Sequence, residues 1–189
     1  MTDTVAALTV GASCLLDVEA LTRQEALFGP GGAASDTTVL RALDELADRI
    51  GDDGLPERRY ARMLAGVRAT AWAAIVAGNP GLLPAVQVAR RPLARSGTGE
   101  PVTVIRVDAT IIEAATCKEP SVTGHYKHGI GWHPLTAWCS NTDDHLAVMQ
   151  RPGNAGSFTA SDHVLVLDAA LEQVPAPHRR DVLVTIDGA

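Results

Sequence analysis

The stretch Val102–Ile112 reads VTVIRVDATII, a β-branched run interrupted only by Arg106, Asp108 and Ala109. Side chains branched at Cβ are stiff and pack well on a pleated surface, so the run predicts a strand. Its near continuity predicts one covered on both faces. A second run of this kind, Asp181–Ile186 (DVLVTI), ends against Asp187. Between them, Tyr126–Ser140 and Leu146–Gln150 predict shorter strands separated by the turn-forming Asn141-Thr142-Asp143-Asp144. Arg151-Pro152-Gly153-Asn154 reads as a turn, with Asn154 a turn former. A helix capped by Thr159 or Ser161 then runs to Pro175-Ala176-Pro177. The order is β-β-β-α-β, in which a last strand reached through a helix can lie parallel to the first.

The first half has a different periodicity. Asp17–Phe28 reads as a helix closed by Gly29-Pro30. After Ser35 or Asp36 as N-cap, Val39, Leu40, Leu43, Leu46 and Ile50 recur at helical spacing. A third helix starts near Pro56 and carries Tyr60, Met63, Leu64, Val67, Ala71 and Ile75 along one side until Gly78-Asn79-Pro80-Gly81. The predicted class is therefore α/β: a helical region over residues 1–85, a linker over 86–100, and a mixed sheet over 101–189.

Charge and cysteine content narrow the function classes. The chain of 189 residues holds 16 Lys and Arg against 22 Asp and Glu, a formal charge of −6. Residues 100–189 carry 6 basic against 11 acidic side chains, so the deficit is C-terminal. A strongly basic nucleic-acid binder has the opposite balance, and any handling of DNA has to rest on local clusters or a metal. Cys14, Cys117 and Cys139 are odd in number and lack paired short spacing, which excludes a disulfide framework and fits a reduced, cytoplasmic compartment. No basic leader opens the chain and no apolar run is long enough to span a bilayer, so neither export nor a membrane is expected.

The informative residues are two carboxylates. Asp108 interrupts one apolar strand and Asp187 ends another. A carboxylate within such a run is costly unless it is hydrogen-bonded, paired or bound to a metal; the plain alternative is turn chemistry at a strand end. If the two strands are neighbours, two hard anionic donors meet at one end of a sheet, which suits Mg²⁺.

Residues 101–189 resemble the catalytic domain of DDE-type insertion-sequence transposases, which has an RNase H-like fold. The resemblance lies in Val107-Asp108-Ala109-Thr110, Lys118-Glu119, Tyr126–Leu135 (YKHGIGWHPL), Arg151–Ser157 (RPGNAGS), Asp162-His163, Leu167–Leu171 (LDAAL) and Val182–Asp187 (VLVTID), taken in order. It implies a partial RNase H-like mixed sheet in which Asp108 and Asp187 are the first two acids of the triad. In the family these hold two Mg²⁺ or Mn²⁺ ions for DNA cleavage and strand transfer during transposition. The third acid, a Glu beyond the second Asp, has no counterpart, and Glu113 and Glu119 stand at other positions. The expectation is a truncated transposase, inactive alone, with an uncovered last strand open to aggregation or pairing.

DNA is the expected partner, through Arg58, Arg59 and Arg62 on the third helix, joined by Arg68, and through Lys127 and Arg151 near the sheet. Arg90, Arg91 and Arg95 form a weaker cluster in the linker. A rival reading is a non-catalytic DNA-binding or dimerising remnant that pairs with itself or with full-length transposase. His125, His128, His133 and His145 with Cys117 and Cys139 lack zinc-ligand spacing. Gly129-x-Gly131 is followed by no predicted helix, which argues against a nucleotide loop.

Overall fold

Ser35 opens a helix as its residue type demands: the hydroxyl accepts a hydrogen bond from the Thr38 N–H at 3.2 Å, and helix Asp36–Ala47 follows. Asp17 does the same work further upstream, its Oδ2 accepting from the Ser13 N–H (3.0 Å), the Ser13 hydroxyl (2.9 Å) and the Cys14 N–H (3.2 Å). These bonds, the Ser13 N–H first, hold the Asp17 carboxyl below its ordinary pKa. The computed structural model describes residues 2–29, 34–119, 121–156 and 159–186 and divides the chain into two units, Met1–Ile50 and Gly51–Ala189. The first unit contains α1 (Thr2–Thr9), α2 (Leu15–Thr22), α3 (Glu25–Phe28) and α4 (Asp36–Ala47), around a small core of Ala7, Ala12, Val18 and Val39. The single helix expected over Asp17–Phe28 is two. The Thr22 hydroxyl donates back to the Val18 carbonyl at 2.8 Å, a bond that competes with the helical ladder just before the break.

The second unit holds α5 (Arg58–Gly78), the short strands β1 (Gln87–Val88) and β2 (Arg91–Pro92), then β3 (Thr103–Ala109), β4 (Ile112–Glu113), β5 (Thr123–Gly124), β6 (Ile130–Trp132), β7 (Leu135–Cys139), β8 (Asp144–Met149), α6 (Ala160–Gln173) and β9 (Val182–Ile186). The main sheet has the order β8-β7-β3-β9: β3, β7 and β8 form an antiparallel meander, and β9 returns through α6 to lie parallel to β3. The chain is thus mixed α/β, with smaller sheets β1-β2 and β4-β6-β5. Helix α5, grouped by sequence with the N-terminal helices, falls in the same compact unit as the sheet.

Ile105 and Val107 of β3, Leu135, Ala137 and Cys139 of β7, and Met149 of β8 line one face of the main sheet. Val166 and Ala170 from α6, Val174 just after its end, and Trp72 from α5 belong to the same core. Full burial of one such aliphatic side chain contributes about 1.5–3 kcal/mol. The opposite face is different. Arg106 and Asp108 are exposed, as are Trp138 on β7 and Leu183 on β9, so the covering of both faces expected for the first strand holds only near its start. Successive side chains of a strand point to opposite sides, and among the described residues α6 packs on one side alone.

The segment Tyr126–Ser140, read as one strand, supplies two. Pro134, fully buried and without an N–H, ends the ladder: β6 pairs into the small sheet before it, and β7 pairs into the large sheet after it. The buried face of α5 also differs from the expected one. Trp72 is buried, with Leu64, Arg68 and Val76 half-buried beside it, whereas Met63, Val67 and Ile75 are exposed.

Arg68 explains that rotation. Its Nε donates to Asp144 Oδ2 at 2.6 Å, its Nη2 to the His145 carbonyl at 2.8 Å and its Nη1 to Gln173 Oε1, while Trp72 Nε1 donates to the same Asp144 oxygen at 3.0 Å. Gln173 in turn donates to the Ala61 carbonyl at 2.9 Å. The network ties α5, β8 and α6 together. Burial, then the Arg68 charge, pushes His145 below its ordinary pKa against the opposing pull of Asp144, and burial lowers His178. A second tie is Asn141: its Oδ1 accepts from the Val104 N–H at 2.8 Å, and its Nδ2 donates to the Pro84 and Val102 carbonyls at 2.7 and 3.0 Å.

Candidate metal site and nucleic-acid surfaces

Asp108 is the penultimate residue of β3, on the open face of the main sheet. Its backbone carbonyl accepts from the Thr136 hydroxyl at 3.0 Å, while its carboxylate is left to solvent. On the other side of β3 the parallel register runs Thr103 to Val182 through Val107 to Ile186. The residue following Val107 is Asp108, and the residue following Ile186 in the sequence is Asp187, which lies outside the described residues. An exposed carboxylate at a strand end is a hard oxygen donor of the type Mg²⁺ takes, and it fits as one ligand. Among the described residues no cluster of three or more His, Cys, Asp or Glu side chains could hold a metal. Glu113 belongs to β4 of the small sheet, and Glu119 lies in the turn-rich segment after it.

The basic residues divide into surface and interior. Arg58, Arg59 and Arg62 are exposed in the first turns of α5. Arg179, which sequence reading had not singled out, lines one groove with Arg58 and Arg62, having first donated Nε to the Val174 carbonyl at 2.6 Å. Lys127 is exposed. Arg68, expected among the phosphate-contacting arginines, is instead committed to the interior network; the spacing Leu64, Arg68, Trp72 along one helix face was the available signal.

Arg151, expected to contact DNA near the sheet, is likewise interior, with 4% of its surface exposed. Its Nε donates to the His133 carbonyl (3.0 Å) and its Nη1 to the Gly156 carbonyl (3.1 Å) and Asp162 Oδ2 (3.0 Å). It thereby ties β6–β7 to the first turn of α6, where the Asp162 carboxylate also suits the positive end of the helix dipole. Arg90 and Arg91 are exposed around the β1–β2 turn, and Arg95 pairs with Asp181 at 3.3 Å.

The small sheet went unread in the sequence, and glycines make it. A Cβ on Gly131 would collide with the Ile112 carbonyl, and one on Gly153 would stand 2.5 Å from the carbonyls of both Gly131 and Thr123. The Arg151–Asn154 turn is thus pressed onto β5 and β6, with the Asn154 N–H donating to the Thr123 hydroxyl at 2.9 Å. His133 Nδ1 lies 2.9 Å from the Ala155 carbonyl, and His125 Nδ1 accepts from the Lys127 N–H at 3.3 Å. Among the described residues no helix is long and apolar enough to cross a membrane. No family model matches the chain, and neither a curated protein nor a solved structure does.

Proposed function

We propose that this chain bears two of the three acids, Asp108 and Asp187, that the phosphodiester chemistry of a DDE-type transposase needs on an RNase H-like sheet, with DNA as the substrate of that chemistry and the chain inactive alone for want of the third acid. The observation that supports the reading most is the parallel pairing of β9 with β3, in which Val107 and Ile186 are partners and each is followed in sequence by an Asp. A meander closed through a helix by a parallel strand beside its first strand is also the element order this fold requires. The proposal needs that register to continue one residue, bringing two carboxylates within reach of divalent ions. Mg²⁺ or Mn²⁺ supplies charge neutralisation at the attacking and leaving oxygens of a phosphodiester. The protein's own part is to hold two carboxylates at adjacent strand ends, on a sheet face open enough to admit a DNA strand.

Titration of the 189-residue chain with Mn²⁺, followed by electron paramagnetic resonance, tests the metal claim. Binding is expected to weaken at least tenfold, about 1.4 kcal/mol, in Asp108→Asn and in Asp187→Asn. Unchanged binding in both variants sinks the reading.

A second reading, a DNA-binding or dimerising module without catalysis, is favoured by the exposed Arg58, Arg59 and Arg62 on α5 with Arg179 in the same groove. Replacing Arg58, Arg62 and Arg179 together by Gln should flatten the salt dependence of duplex binding, by about 0.9 in log–log slope for each phosphate left unneutralised. A slope equal to that of the wild type removes this groove from the DNA interface.

A further inference from the structure

The tip between β5 and β6 reads His125-Tyr126-Lys127-His128, and its shape is set from inside. The His125 N–H donates to the Gly129 carbonyl and the His128 N–H to the His125 carbonyl, each at 3.0 Å, while His128 takes the left-handed conformation at φ 65°. The buried His125 ring fills the loop, and it fits because residue 129 has no Cβ: one there would lie 2.7 Å from His125 Nε2. The base of the hairpin is held by the contacts at Gly131 and Gly153.

What this pre-formed tip holds out is an aromatic ring. Tyr126 is 69% exposed, although burial of such a ring is among the larger gains open to a side chain. Lys127 places its ammonium 5.7 Å from the ring centroid, and His128 is exposed beside it. An accessible ring next to a cation, on a loop braced by its own hydrogen bonds, is the chemistry that recognises an unpaired base together with its phosphate. Bases within a duplex are already stacked on both faces, so the tip selects a single strand. Its location adds to this. The small sheet prolongs β3 and β7 beyond Asp108: β3 leads into β4, and β6 leads into β7.

We propose that Tyr126, assisted by Lys127, is a stacking platform for an unpaired base of single-stranded DNA, an inference that rests on the DNA-processing reading above. Fluorescence anisotropy of the 189-residue chain with a labelled oligothymidylate, and with an abasic strand of equal length, tests it. Tyr126→Ala should weaken binding to oligothymidylate about tenfold and leave the abasic strand unaffected, while Tyr126→Phe stays within about twofold of the wild type. Lys127→Gln should weaken both strands and lower the log–log salt slope by about 0.7. Circular dichroism and an unfolding midpoint equal to the wild type's certify that the Tyr126 variants are folded. If Tyr126→Ala binds oligothymidylate as the wild type does, or if Tyr126→Phe fails as badly as Ala, the stacking platform is overturned while DNA binding stands. If the wild-type chain binds neither strand, the platform falls, while the Mn²⁺ and duplex measurements decide the DNA reading on their own.

Discussion

The two faces of the main sheet are built from the same strands and behave as different materials. On one, Ile105, Val107, Ala137 and Cys139 are at 0% exposure and meet α6; on the other, Arg106, Asp108, Trp138 and Leu183 meet solvent. Period-two alternation alone separates them. The closed face supplies the stability, and that freedom lets the open face carry a charged residue at a strand end.

The largest expected effect lies on the closed face. Ile105→Ala removes a fully buried side chain from the middle of the core and should cost about 3–4 kcal/mol in urea denaturation. Next is the polar tie behind that face. Arg68→Met leaves Asp144 without its guanidinium and should cost about 2 kcal/mol, less than a fully buried pair because the Asp144 side chain keeps 29% of its exposure. Loss of less than about 0.5 kcal/mol would mean that Trp72 and solvent satisfy the carboxylate unaided.

A smaller effect is expected from acid. His145 and His178 have folded-state pKa values below the ordinary 6.5, so the unfolded chain binds protons that the folded chain refuses. Their contribution is full above pH 6.5 and is lost as pH falls through that value toward the lowered one. The thermal midpoint should therefore drop on acidification from about pH 7.5 to about pH 5.5, and His145→Gln with His178→Gln should flatten the drop. An undiminished slope in the double variant assigns the acid sensitivity to other groups. The smallest effect belongs to the open face. Arg106→Ala and Thr185→Ala should each shift stability by less than about 0.5 kcal/mol, and a loss above about 1 kcal/mol would show that this face is covered in solution.

The first strand of the meander, β3, and its parallel closing strand, β9, were legible because β-branched runs announce strands at any depth of burial. Asp108 was legible for the converse reason, as a carboxylate where an apolar side chain was due. The division at His133-Pro134 was not, since the apolar residues on either side of it read as one strand and only pairing with different partners separates them. Nor was the inward turn of Arg68 and Arg151. A charged side chain on a helix or in a turn is ordinarily solvated; what reverses that is, for Arg68, the Asp144 carboxylate 76 residues on, and for Arg151, the His133 and Gly156 carbonyls with the Asp162 carboxylate of the next helix. The glycines at 131 and 153 are intelligible only from the carbonyls they face.

Asn141 has a consequence for what the chain can become. Its amide must accept from one N–H and donate to two carbonyls at once, while 8% exposed. Asp has the same shape but would turn an oxygen toward the Pro84 and Val102 carbonyls, and Gln is longer by one methylene. Of the twenty side chains one meets both the length and the donor pattern, so position 141 is closed to drift, and deamidation there would age the fold at the point where the α5–β1 connection, the start of β3 and the β7–β8 turn are joined.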